Sequence, residues 1–158
     1  MNPLYAAYGS NLHLGQMAHR CPGAQTVETA VLENYQLLFR GGDGHGVATV
    51  EPMAGSSVPI LLWTITGRNE QALDHYEGWP HLYGKETLTF SGEDGPVSAM
   101  LYRMTPGHPA GRPSDFYYNI LEESYRACGF PVSGLELALE RTLEAMAQER
   151  CQGMLPPW

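Results

Sequence analysis

Tyr35-Gln36-Leu37-Leu38-Phe39-Arg40-Gly41-Gly42-Asp43-Gly44-His45-Gly46-Val47-Ala48-Thr49-Val50 separates two kinds of fold. Gly42-x-Gly44-x-x-Val47 begins like a dinucleotide-binding fingerprint, but that fingerprint needs a third glycine and a helix after it. Here Val47 stands at the third position, and Val47-Ala48-Thr49-Val50 alternates as a strand does. Glycines between two strand-like runs read as a hairpin turn. A binding role for the loop stays open, because Gly-rich turns let a ligand approach the backbone.

Outward from this hairpin the pattern stays β. Strand-like runs cover residues 26–32 and 35–40 before it, and 47–53 and 58–66 after it, with Ala54-Gly55-Ser56-Ser57 read as a turn. Two more, 83–90 and 97–104, flank Ser91-Gly92-Glu93-Asp94-Gly95, and residues 4–8 form an N-terminal strand. Helices fall at the edges. Leu14, Met17, Ala18 and Cys21 have helical spacing up to the stop at Pro22-Gly23. Residues 68–76 fit a short helix. A stiff loop with Pro106, Gly107, Pro109, Gly111 and Pro113 precedes a helix over 114–127. Ser133 and Glu136 read as a capping box, Val132 and Leu137 as its staple, and Leu135, Leu139, Leu143 and Met146 as one apolar face. The tail Leu155-Pro156-Pro157-Trp158 is expected to be poorly ordered. Six or seven short strands with peripheral helices predict an α+β fold, a small, mostly antiparallel β-barrel, as a single domain over 1–158.

Composition excludes several classes. The chain has 158 residues, 43% hydrophobic and 16% charged, which suits one domain with one core. A formal net charge of −8 argues against a nucleic-acid partner. Cys21, Cys128 and Cys151 make an odd set without CxxC, so reduced thiols and a cytoplasmic location are expected. No signal-peptide pattern appears. The longest apolar stretch, around residues 60–63, is too short to span a bilayer.

Two segments carry chemistry. Tyr8-Gly9-Ser10-Asn11-Leu12 ends the first strand, and a strand, a Gly-Ser-Asn turn and a helix start together leave several backbone N–H groups at one spot. That suits an anion such as a carboxylate. Asp74-His75-Tyr76-Glu77-Gly78-Trp79-Pro80 sets Glu77 among Tyr76, Trp79, Pro80 and Tyr83. Asp74 and Glu77 share a helical face, so a solvated helix end is one reading. The other is a carboxyl whose apolar surroundings disfavour ionisation and suit it to acid/base work. An anion cradle with such an acid suggests an enzyme acting on a small carboxylate-bearing molecule. The six histidines include no HExxH or i,i+4 pair, so no metal is expected. Cys21 near His19 lacks a partner acid. Phe116-Tyr117-Tyr118 and Tyr125 read as core, with one hydroxyl able to line a pocket.

Tyr8-Gly9-Ser10-Asn11-Leu12, the strand start Gly46-Val47-Ala48-Thr49 and Leu73-Asp74-x-x-Glu77-Gly78, in this order over residues 4–125, resemble the γ-glutamyl cyclotransferase-like family. Glu77-Gly78-Trp79-Pro80-His81-Leu82-Tyr83 is similar to its small bacterial and γ-glutamylamine branches. Pro113-Ser114 before Tyr117 resembles the segment carrying a pocket tyrosine, with Tyr118 as the alternative alignment. The resemblance implies a compact β-barrel and no cofactor. It implies cyclisation of a small γ-glutamyl substrate, in which the α-amine attacks the γ-carbonyl to give 5-oxoproline and free amine. It puts the glutamyl-binding segment at Tyr8, Gly9, Ser10, Asn11 and Leu12, with Tyr83 and Tyr117 beside it and Glu77 as acid/base. A different γ-glutamyl or acyl amide, or a binding module without turnover, are the other readings. Nucleic acid and membrane are not expected partners; oligomeric state stays open. The nearest basic groups to the acid in sequence are Arg68 and Lys85. With the negative net charge, this favours γ-glutamylamines over glutathione.

Overall fold

The computed structural model describes residues 3–153; the tail at 155–158 lies outside the described residues. The chain runs β1 (Leu4–Ala7), a 3-10 turn (Ser10–Leu12), α1 (Leu14–Arg20), β2 (Gln25–Arg40), β3 (Val47–Thr64), α2 (Gly67–Glu77), β4 (Tyr83–Gly92), β5 (Gly95–Met104), α3 (Asp115–Cys128) and α4 (Ser133–Cys151). The strands close a barrel in the order β1-β3-β2-β4-β5. Every pairing is antiparallel except the parallel seam between β1 and β5 at Tyr5 and Met100. The α+β barrel expected from the pattern is what forms.

The seven expected strand segments become five strands, because β2 and β3 each fuse two of them. At residues 54–57 the chain bulges instead of turning. Pairing jumps from Glu33 opposite Ser57 to Tyr35 opposite Pro52. Asn34 adopts φ 65°, a conformation asparagine tolerates better than most residues, and its side-chain oxygen accepts the Gly55 N–H at 3.1 Å. A bulge bends and twists a pair without ending it, so strands of 16 and 18 residues wrap round the barrel.

The glycine-rich loop at 41–46 is a hairpin, as read. The backbone that approaches it is the chain's own. Gly41 N–H donates to Pro109 O, and Gly44 and Gly46 N–H donate to Arg112 O. A Cβ on Gly46 would sit 1.9 Å from the Gly111 carbonyl oxygen, and one on Gly111 would sit 2.6 Å from that of Gly41. The glycines let the 105–114 loop cross here, and this contact seats the start of β3.

Helix details depart from the pattern in places. On α1 only Met17 and the following Cys21 are buried; Leu14 and Ala18 are exposed. In α4 Ser133 is the first helical residue, Val132 holds the cap position and no side-chain cap bond forms, so the expected capping box is absent. Its buried face is Leu135, Ala138, Thr142, Met146 and Glu149, while Leu143 is 44% exposed. The two polar members have partners far away in sequence: Thr142 Oγ1 accepts the Phe39 N–H at 2.9 Å, and Glu149 accepts the Ala110 N–H at 2.9 Å. Among the described residues no helix is long and apolar enough to cross a membrane.

Candidate active site

Three local arrangements meet at one cavity of about 180 Å³. The first is the turn after β1. Leu12 N–H closes onto Gly9 O at 3.0 Å and His13 N–H onto Ser10 O at 3.1 Å. The N–H groups of Gly9, Ser10 and Asn11 have no acceptor among the described residues. These three residues line the cavity. Position 9 has to be small: a Cβ there would stand 3.3 Å from both the Ala48 Cβ and the Tyr117 hydroxyl. Leu12, expected with the binding residues, is not in the lining; its side chain is buried in the core.

The second arrangement is the end of α2. Thr66 and Asn69 cap the helix reciprocally, and Gly78 ends it at φ 66°, so Glu77 is its last residue. Asp74, one turn earlier, holds the helix against the barrel. It accepts the Tyr102 hydroxyl at 2.6 Å and pairs with Lys85 at 3.1 Å. Asp74 is therefore an anchor, and Glu77 alone of the two lines the cavity.

The third is a wall of tyrosines. Tyr5, Tyr8, Tyr76, Tyr83, Tyr102 and Tyr117 line the space together with Val47, Ala48 and Leu82. Ser114 caps α3 by accepting the Tyr117 N–H at 3.1 Å, which fixes Tyr117 in the first turn. Its hydroxyl accepts the Ala48 N–H at 3.1 Å, so its own proton remains to be donated. Tyr83 donates to the Ala48 carbonyl at 2.6 Å. Both Tyr117 and Tyr118 pack on Phe39, ring centroids 6.4 and 6.2 Å away, but Tyr118 is outside the lining. Of the two alternatives, Tyr117 is the one at the cavity.

The electrostatics single out Glu77. The residue as a whole is half-buried, and its carboxyl lines the tyrosine-walled cavity, where a charge is poorly solvated. Burial pushes it up from its ordinary value to about 7, against a smaller downward pull from Arg20. The negative end of the α2 dipole acts in the same upward direction. Among the described residues the single hydrogen bond to its carboxyl, from Asn11 Nδ2, is long at 3.5 Å. Burial first, then the Glu77 charge, raises Tyr5 and Tyr8 well above 10; Tyr83 and Tyr117 are raised by burial too. Those four hydroxyls stay protonated, leaving Glu77 to exchange a proton near neutrality.

Some of the site escaped sequence reading. The cation that meets the turn is Arg20, at the end of α1, and not Arg68 or Lys85. It donates to the side chains of Asn11, Ser10, Gln16 and Tyr76. An arginine in a last helical turn looks like an ordinary dipole partner, so nothing marked it. Tyr5 and Tyr102 were missed as well; buried tyrosine hydroxyls on strands were the available signal. Cys21 and His19 do not form a pair: Cys21 is buried with its thiol 3.7 Å from Asn69 O, and His19 is exposed. No group of three or more His, Cys, Asp or Glu residues able to hold a metal occurs among the described residues.

The family model "Gamma-glutamyl cyclotransferase, AIG2-like" matches residues 5–127, a span that takes in every lining residue. The chain belongs to this family. Gamma-glutamylcyclotransferase of Bos taurus is 27% identical over 159 residues, covering 95% of this chain and 81% of its own. The protein of the same name from Homo sapiens is 28% identical over 152 residues, covering 90% and 78%. A solved structure called gamma-glutamyl cyclotransferase superposes with a TM-score of 0.75 at 26% identity, over 87% of this chain and 86% of that one. Together the family match and these relatives support an enzyme with a cyclotransferase activity.

Proposed function

We propose that this protein is a single-domain, cytoplasmic and cofactor-independent γ-glutamyl cyclotransferase, converting a γ-glutamyl amide into 5-oxoproline and a free amine. The observation that carries this reading is one carboxyl pushed up to about 7, in a tyrosine-lined cavity beside a turn whose three N–H groups have no acceptor among the described residues.

The chemistry follows from the residues. The substrate's α-ammonium cannot attack until it loses a proton, and ionised Glu77 takes it. The freed amine attacks the γ-carbonyl carbon, forming the ring C–N bond and placing negative charge on the carbonyl oxygen. As the amide C–N bond breaks and the carbonyl re-forms, Glu77 gives that proton to the departing nitrogen. It then takes the second proton from the ring nitrogen, which the released amine carries away as an ammonium. The amides of Gly9, Ser10 and Asn11 supply donors for the α-carboxylate or for the developing oxyanion, and the Tyr117 hydroxyl supplies another. A cavity of about 180 Å³ is small beside the roughly 300–1,000 Å³ of typical ligand pockets. It suits a folded glutamyl group with the leaving portion outside. Folding the chain for ring closure is a proximity effect that contributes up to about 7–11 kcal/mol.

The leaving group in this reading is a neutral or cationic amine. The net charge of −8 disfavours an added carboxylate. Around the mouth, Tyr76 and Leu82 are exposed apolar surface, and Lys85 is committed to Glu70 and Asp74. The test is incubation of purified protein with a panel of γ-glutamyl amides, 5-oxoproline being read by mass spectrometry, followed by steady-state kinetics. The expected result is a higher kcat/KM for a γ-glutamyl linkage to a lysine side chain than for glutathione. A tenfold preference for glutathione would reverse the leaving-group assignment, and no 5-oxoproline from any member would remove the activity.

A further inference from the structure

We infer that Arg20 is a positioning residue for Glu77, acting through the side-chain amide of Asn11, an inference that rests on the reaction proposed above. The argument begins with what an arginine can do. A guanidinium has five N–H donors and no acceptor. The Asn11 atom facing Arg20 is therefore the oxygen, Oδ1, and the opposite side of the amide is the donor group. That group gives one bond to the Tyr5 hydroxyl at 2.9 Å and reaches Glu77 Oε1 at 3.5 Å. Reversing the amide would set its NH₂ against the guanidinium and its oxygen against a carboxylate. Asn11 is only 3% exposed, so water cannot relieve either clash.

Arg20 itself is outside the lining of the cavity. Its other bonds reach Gln16 at 2.6 Å, the Tyr76 hydroxyl at 2.7 Å and Ser10 Oγ at 3.4 Å. Its guanidinium also lies over the Tyr76 ring, 3.6 Å from the centroid. One planar group thus holds the turn on one side of the cavity and the last turn of α2 on the other. A lysine carries the charge but not the fork that meets these acceptors together.

Other groups around Glu77 are accounted for. Tyr5 and Tyr8 from the β1 side, Tyr83 from β4 and Tyr117 from α3 all interact with its charge and stay protonated. On α2 itself Asp74 is paired with Lys85 and with Tyr102 of β5, and Tyr76 is held by Arg20. Arg20 is the cation acting on Glu77.

The test uses Arg20→Met, Arg20→Lys and Asn11→Asp in the full chain, with two readouts. One is the pH titration of the Glu77 carboxyl by carbon-detected NMR; the other is kcat and KM. Arg20→Met is expected to move the titration midpoint up by about one pH unit. It is also expected to lower kcat on the order of tenfold to a hundredfold, with KM changed less than about threefold. Arg20→Lys is expected to restore the midpoint and not kcat. Asn11→Asp keeps an acceptor for Arg20 but takes the donor from Glu77, so its midpoint rises and kcat falls; it carries the test if Arg20→Met does not fold. A folded Arg20→Met with wild-type titration and kcat overturns the inference. So does a large rise in KM at unchanged kcat, which would make Arg20 a substrate contact, and so does wild-type kcat in Arg20→Lys. If wild-type protein turns over no γ-glutamyl amide, the proposed reaction falls, while the titrations still decide whether Arg20 governs Glu77.

Discussion

Glu77 and Glu149 each sit in the last turn of a helix, with side chains drawn in from solvent, and the protein treats them oppositely. Glu149, 7% exposed, accepts the Ala110 N–H at 2.9 Å and the Arg40 guanidinium at 3.1 Å, and Arg40 is held in turn by Glu51 and the His108 carbonyl. Every charge in that cluster has a partner, as buried ions require. Glu77 has one long bond and no ion pair among the described residues, and its carboxyl is displaced to about 7. The carboxylate that ties loops together is fully bonded; the one proposed to take up and release a proton is left short of donors. The comparison separates a structural acid from the one proposed for the chemistry without reference to sequence motif.

The sharpest test of this division is Glu77→Gln, which removes the proton carrier and keeps the shape. The expected loss of turnover is about 10²- to 10⁴-fold with the fold intact. A Gln variant at near wild-type rate on a verified substrate would end the acid/base role. The converse is Glu149→Ala. It is expected to cost about 3–5 kcal/mol of stability, read by denaturant unfolding, because Arg40 and the Ala110 N–H lose a partner. Activity per folded molecule should be unchanged; if it disappears, the two acids do not divide the labour as described.

A smaller effect concerns pH. The Glu77 equilibrium is raised in the folded state, so the folded protein holds this proton more tightly than the unfolded chain. Its contribution to stability is present below the unfolded value of about 4.3 and is lost as pH rises to about 7. Glu77→Gln abolishes the titration. It is expected to be more stable than wild type by about 2–3 kcal/mol at pH 8, with the two nearly equal at pH 4. Melting curves at both values check it, and equal stability at pH 8 would show that ionised Glu77 is better solvated than its setting implies.

The barrel was legible because alternating strands, the glycine hairpin and the Ser114 cap all depend on local spacing. The fusion of strands at Asn34 was not, since Ala54-Gly55-Ser56-Ser57 has turn composition and only the pairing opposite shows it to be a bulge. The acid and the turn were legible as motifs. Arg20, Tyr5 and Tyr102 were not, because their role comes from which groups the closed barrel sets beside them. Thr142 and Glu149 were hidden for the same reason: a polar residue on an apolar helix face looks misplaced until its partner 30 or more residues away is known.

The barrel closes thinly. The β4–β5 hairpin joins its neighbours at one residue pair on each side, Tyr5 with Met100 and Val31 with Ser91. Between these pairs side chains do the stitching, with Tyr8 bonded to the Tyr102 carbonyl, Tyr83 to that of Ala48, and the Met104 N–H to Thr49 Oγ1. The same tyrosines form the cavity wall, so a Tyr→Phe change at 8 or 83 loosens a joint as well as altering a surface. Local opening then starts where the substrate would sit. Amide hydrogen exchange is expected to be faster in β4–β5 than in the long β2–β3 ribbon, and a ligand bridging the joint slows it by mass action. Occupancy of the cavity becomes a fastener for the barrel.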